Sequence, residues 1–197
     1  MPRPATLPLL DWKAVFESGQ EYAAWLSAAE STEQAHEIEA QRRALVLDPT
    51  AAGFLATLPV PVHVVAIAED WCGDVVRHVP VLQRMADAGP NLRVRYISRE
   101  QHPGVFIRFL TNGGEAIPKF IFLSDRFVEC GNWGPMPEAC RELIARGKAS
   151  GNVAAARKEV SARYGQDAAR QEVVDELLHL TDIAASRERQ DQRQVGL

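Results

Sequence analysis

Only three cysteines occur in the 197 residues, Cys72, Cys130 and Cys140, and they have no regular spacing. That is too few for a disulfide scaffold, and it suits a compartment that keeps thiols reduced, so a cytoplasmic protein is expected. The five histidines are scattered, none with a cysteine or second histidine at ligand spacing, so no metal site is expected. No apolar run approaches the roughly 18 residues of a membrane span. The first ten residues hold one arginine, three prolines and no long apolar stretch, which does not read as a signal peptide. Net charge is only −4 with both signs mixed along the chain, leaving no footprint for nucleic acid or an anionic membrane. Internal repeats and low-complexity segments are missing as well.

What is present is an ordinary apolar share, 46%, enough for a real core. In the first sixty residues large apolar groups recur at helical intervals: Trp12, Val15 and Phe16, then Tyr22, Trp25 and Leu26. Asp48-Pro49 is a helix start, with aspartate as N-cap and proline in the first turn. Pro59 ends the short helix that follows. So many large apolar groups predict helices packed on the rest of the protein rather than a free linker, because burying each contributes roughly 1.5–3 kcal/mol.

Residues 62–68 are nearly all apolar and predict a strand covered on both faces. His63 within it is expected to make an ordinary strand-end hydrogen bond. Leu92–Ile97 alternates apolar residues with Arg93 and Arg95 and predicts a strand with one wetter face. Ser98-Arg99-Glu100 lies just past its end, where open α/β sheets place their sites, so Arg99 and Glu100 belong to a pocket rim or to a surface ion pair. Lys119–Leu123 and residues 127–131 predict a hairpin. A helix over 136–146 follows, then helical stripes through Tyr164 and from Val173 to Thr181. The last ten residues read as a polar tail.

Between the first strand and an amphipathic stretch reaching Met85 stands Trp71-Cys72-Gly73-Asp74. Amides in the first turn of a helix lack intrahelical partners, and their partial positive charge favours a thiolate. Cys72 is therefore a candidate nucleophile, with its sulfur expected to accept hydrogen bonds from the amides of Asp74 or Val75. Asp74 opposes the thiolate, and Arg77 and His78, three and four residues along, are placed to blunt that effect.

Trp71-Cys72-Gly73, the strand before it, and Ile117-Pro118 some forty-five residues later resemble the thioredoxin superfamily. The wording is most similar to bacterial thioredoxin-like proteins that carry Trp-Cys-Gly-Asp-Cys and an N-terminal helical extension. The resemblance implies an α/β fold, a central mixed sheet flanked by helices with helical N- and C-terminal extensions. Its units would be residues 1–59, 60–150 and 151–197: extension, thioredoxin-like domain, and C-terminal helices with the tail. It further implies that Pro118 is cis and lies against Cys72, leaving the neighbouring backbone free to pair with an extended substrate. Trp71, Gly73, Ile117, Pro118 and Trp133 would border the substrate groove, Trp133 through the Gly134-Pro135 loop.

The sequence departs from that pattern at two positions. Val75 stands where the resolving cysteine belongs, and Ala66 where the family carries a buried acid. Cys130 and Cys140 are expected in the last strand and the following helix, with no promise of the short Cα separation that a disulfide needs. Two readings stay open. Cys72 acts as a monothiol thiol–disulfide oxidoreductase on a protein or low-molecular-weight disulfide, with glutathione as resolving thiol and no bound cofactor. Alternatively, the fold is a redox-inactive module whose groove binds a peptide or protein. A glutathione-transferase reading lacks the large helical domain, and a peroxidase reading lacks a Thr-x-x-Cys context.

Overall fold

The structure, a computed structural model, describes residues 7–186, without the side chains of 167–169. The polar tail and most of the first ten residues lie outside the described part. Four strands, β1 (Val62–Ile67), β2 (Leu92–Ile97), β3 (Lys119–Leu123) and β4 (Glu129–Trp133), form one sheet in the order β2-β1-β3-β4. β1 runs parallel to β2 and antiparallel to β3, and β3 runs antiparallel to β4, so the sheet is mixed. Every residue of β1 is buried, as its apolar run requires of a strand covered on both faces.

Helices α1 (Trp12–Ser18) and α2 (Tyr22–Ser27) cover β1 and the β2 edge. Phe16 meets His63 edge-on at 4.9 Å, and Trp25 stacks on Tyr96 at 4.8 Å while its indole N–H donates to the Ala68 carbonyl. Helices α3 (Thr32–Ala44) and α4 (Pro49–Ala56) lie against α5 (Gly73–Ala88). Asp48 caps α4 by accepting from the amides of Thr50 and Ala51, the start that Asp-Pro encodes. Residues 12–58 are thus built into the core through Trp12, Phe16, Trp25, Ile38 and Leu55, while Phe54 is half-buried.

A short α6 (Pro103–Phe106) and a 3₁₀ turn precede β3. α7 (Glu138–Ala149), α8 (Val153–Tyr164) and α9 (Asp167–Ala184) complete the chain, with α9 on β3, β4 and α5. β4 starts two residues later than the expected 127. Ser124 explains the difference: its hydroxyl accepts from the amides of Arg126 and Val128, and its own amide donates to the Val128 carbonyl. Phe127, at φ 60°, is thereby held in the turn, where its ring stacks on His63. His63 makes the plain strand-end contact expected of it, Nδ1 to the Ser124 carbonyl at 3.0 Å.

Candidate active site

Cys72 is the N-cap of α5, half-buried, its carbonyl accepting from the Val76 amide at 3.0 Å. Its sulfur does not accept from the helix amides as expected. The thiol instead points to the Ile117 carbonyl, 3.5 Å away, and donates to it. Ile117 itself is buried, and the Ile117–Pro118 bond is cis. The sulfur therefore faces the backbone that enters β3. A Cβ added at Gly73 would meet nothing within 4 Å, so the approach from that side is open.

Trp71 is 49% exposed and forms the outer wall of the turn. Arg99 lies over its ring at 5.2 Å, a cation–π contact. Glu69 accepts from the backbone amide and Nε of Arg99, and the same guanidinium reaches Glu115 at 3.1 Å, two residues before Ile117. Arg99 thus ties the Cys72 turn to the segment leading into Pro118. The rim and ion-pair readings of Arg99 describe one residue. Glu100 joins Trp71 and Arg99 in lining a polar cleft of about 340 Å³ at the ends of β1 and β2.

Trp133 is placed differently from the expected groove wall. It is 2% exposed, stacks on Phe120 at 5.2 Å, meets His78 edge-on, and donates its indole N–H to Glu176 of α9. The indole is held in the core by these contacts, and the following Gly134 turns the chain. At φ 119°, a Cβ on Gly134 would collide with the Pro118 carbonyl. The loop does touch Pro118, but through the backbone of Gly134.

Below the Cys72 turn lies a group that sequence pattern read only as packing. Tyr164, at the end of α8, donates its hydroxyl to Asp74 at 3.2 Å and sits 3.3 Å from His78 Nε2. Arg77 lies over the Tyr164 ring and donates to its carbonyl. Burial raises the Asp74 carboxyl above its usual range, opposed by the Tyr164 hydrogen bond and Arg77. His78 cannot blunt the charge of Asp74 as expected. Burial first, then the charges of Arg77 and Arg170, push its pKa down to about 3, so it is neutral. Cys130 and Cys140 sit in β4 and α7 as expected, and all three thiols are free. No side-chain group among the described residues has the makings of a metal site.

The His78 shift has a measurable sign. The unfolded chain binds a proton near the ordinary 6.5, whereas the native site resists it down to about 3. Stability is therefore present above 6.5 and lost as pH falls through that window, by about 3 kcal/mol at about pH 4. Asp74, with its pKa raised, acts in the opposite direction. Urea unfolding of wild type and His78→Gln across this range is expected to show a much flatter profile for the variant. Parallel profiles would remove His78 as the source.

A mixed sheet carrying a half-buried cysteine at a helix start, with its thiol against the peptide of a buried proline, defines a thioredoxin-like protein. The sequence model of the thioredoxin family matches residues 19–157, and the chain belongs to that family. The match begins within the helical segment before β1. Among solved structures, a protein of unknown function from Pseudomonas aeruginosa superimposes with a TM-score of 0.68 at 16% identity. That likeness covers 88% of this chain and 98% of the other. An HIV epitope scaffold gives 0.65 at 15% identity with the same coverage. Likeness at these identities is one of fold. No curated protein matches the chain. No helix among the described residues is long and apolar enough to cross a membrane.

Proposed function

We propose that the protein is a monothiol thiol–disulfide oxidoreductase acting through Cys72. The observation that carries this reading is the half-buried Cys72 thiol at the start of α5, 3.5 Å from the Ile117 carbonyl and with Val75 where a second thiol would be. The Cys72 thiolate attacks one sulfur of a substrate disulfide, forming a Cys72 mixed disulfide and expelling the other sulfur as thiolate, which takes up a proton. A low-molecular-weight thiol, glutathione in a reducing cytoplasm, then attacks the substrate sulfur and releases Cys72 as thiolate. For a glutathionylated substrate the net exchange frees the protein thiol and turns one reduced glutathione into half of glutathione disulfide. Trp71, Gly73, Ile117 and Pro118 would bound the substrate groove.

One observation favours the redox-inactive peptide- or protein-binding module. The sulfur donates to the Ile117 carbonyl and accepts from no helix amide, so the helix start gives it none of the contacts expected of an attacking sulfur. Incubation with glutathione disulfide separates the two readings. The oxidoreductase gains one glutathione at Cys72, seen by intact mass and peptide mapping, and reduced glutathione removes it. Cys72→Ser gains none at that position. A folded wild-type protein whose Cys72 resists both glutathione disulfide and alkylation leaves the binding module.

A further inference from the structure

Lys119 directly follows Pro118, and its side chain is buried, with the residue only 5% exposed. By its pairing with Ile67 it belongs to the sheet face that carries His63 and α1, while Phe120 next to it packs on Trp133. An ammonium has three N–H donors. Two are used, on Thr111 Oγ1 and on the Gly134 carbonyl, each at 2.8 Å. Both acceptors are uncharged. Lys119 forms no ion pair among the described residues, and the third donor has no protein partner there. A buried cation without an anion is costly, and burial, then Arg141, pushes its pKa down to about 8.

The amine lines a cleft of about 610 Å³ between the loop before β3 and helix α7. Two further cations line it, Arg108 and Arg141, and neither is neutralised. Arg108 donates to the carbonyls of Gly104 and Pro8, and the Arg141 guanidinium has no hydrogen bond or ion pair among the described residues. Two carboxylates share the cleft, but Glu142 lies within 4 Å of Arg146 and the exposed Glu138 is paired with no cation among the described residues. Three cations and two carboxylates thus line this cavity, and none of the three cations is ion-paired among the described residues, which leaves Lys119 and Arg141 donors free for an added anion.

We propose that this cleft binds the carboxylate or phosphate group of a small anionic ligand, held by the free N–H of Lys119 and the fork of Arg141. The compact ammonium supplies a point charge from the floor. The guanidinium supplies two parallel donors, the geometry that oxyanions favour. This site does not depend on the thiol chemistry proposed for Cys72, and it can be tested on Cys72→Ser protein as well as on wild type.

The full chain is titrated with inorganic phosphate and, separately, with acetate, at ionic strength held constant with sodium chloride. Thermal unfolding and calorimetry are the readouts. At least one probe is expected to raise the unfolding midpoint saturably, and which one does so identifies the ligand group. Lys119→Met is expected to abolish the response, and Arg141→Gln to weaken the dissociation constant by about tenfold or more. Should Lys119→Met fail to fold, Arg141→Gln decides alone. No saturable response to either probe in wild type overturns the site. So does a response that sodium chloride reproduces, or one that Arg141→Gln leaves unchanged.

Discussion

Val75→Cys is expected to give the protein a dithiol reductase activity that the wild type lacks. Val75 is the third residue of α5, fully buried, and sits one turn beyond the N-cap Cys72. Residues three apart at a helix start have Cα atoms about 5 Å apart, within the range a disulfide needs. The new thiol would attack the Cys72 mixed disulfide within the same turn, at an effective concentration no free thiol reaches. In an insulin-reduction assay with dithiothreitol, the variant should exceed wild type by ~100-fold or more. Losing one methyl group from a buried site costs only about 1 kcal/mol, so folding should survive. The oxidised variant should weigh two hydrogens less than the reduced form. A disulfide that forms without insulin reduction would show that the groove beside Pro118 does not admit a protein disulfide.

The second large effect is on stability. Gly134→Ala should destabilise the protein by about 3 kcal/mol or more, from a backbone conformation unfavourable to L-residues and a collision with the Pro118 carbonyl. The carbonyl of the same residue holds Lys119, so the strain spreads to both ends of the turn. Denaturant unfolding measures the loss directly. By contrast, Gly73→Ala meets open space and should change stability by no more than about 1 kcal/mol. Equal costs at the two positions would mean that Gly134 has room the geometry denies.

Much of this was readable from the chain because local pattern and tertiary role agree there. The apolar run of β1, the Asp48-Pro49 cap and the alternation in β2 each encode one structure. Cys72 between strand and helix likewise predicted an N-cap. What was not readable depends on contacts far apart in sequence. Tyr164 lies 90 residues from Asp74, and a helical stripe cannot say that its last member donates a hydroxyl to an acid beside the thiol. Helical spacing offers His78 as a charge partner for Asp74, but Trp133 and Tyr164 enclose it and its burial keeps it neutral. Trp133 failed as a groove residue for the same reason: an aromatic next to a glycine loop can turn either way, and Glu176 on α9 decides which. Ser124 hides the start of β4 by taking amides that a regular hairpin would use in its ladder. Position past the end of β2 offers Arg99 a pocket rim or a surface ion pair, without saying with which partners. Its bond to Glu69 and its seat over Trp71 needed the fold.

The two hydrogen bonds that Gln20 and Tyr96 exchange, each 2.9 Å, join the chain before α2 to the outer strand of the sheet. Gly19 permits the approach, since a Cβ there would come within 2.8 Å of the Arg95 Cβ. Trp25 then lies over the same strand and donates to Ala68. A protein cut back to begin at β1 would bare the outward N–H and C=O of Tyr96, along with the apolar face beneath Trp25. Unpaired strand backbone of that kind recruits strands from other molecules. The N-terminal helices therefore act as a selvedge: they finish the edge of the sheet, and the unit from β1 onward is a torn piece of cloth without them.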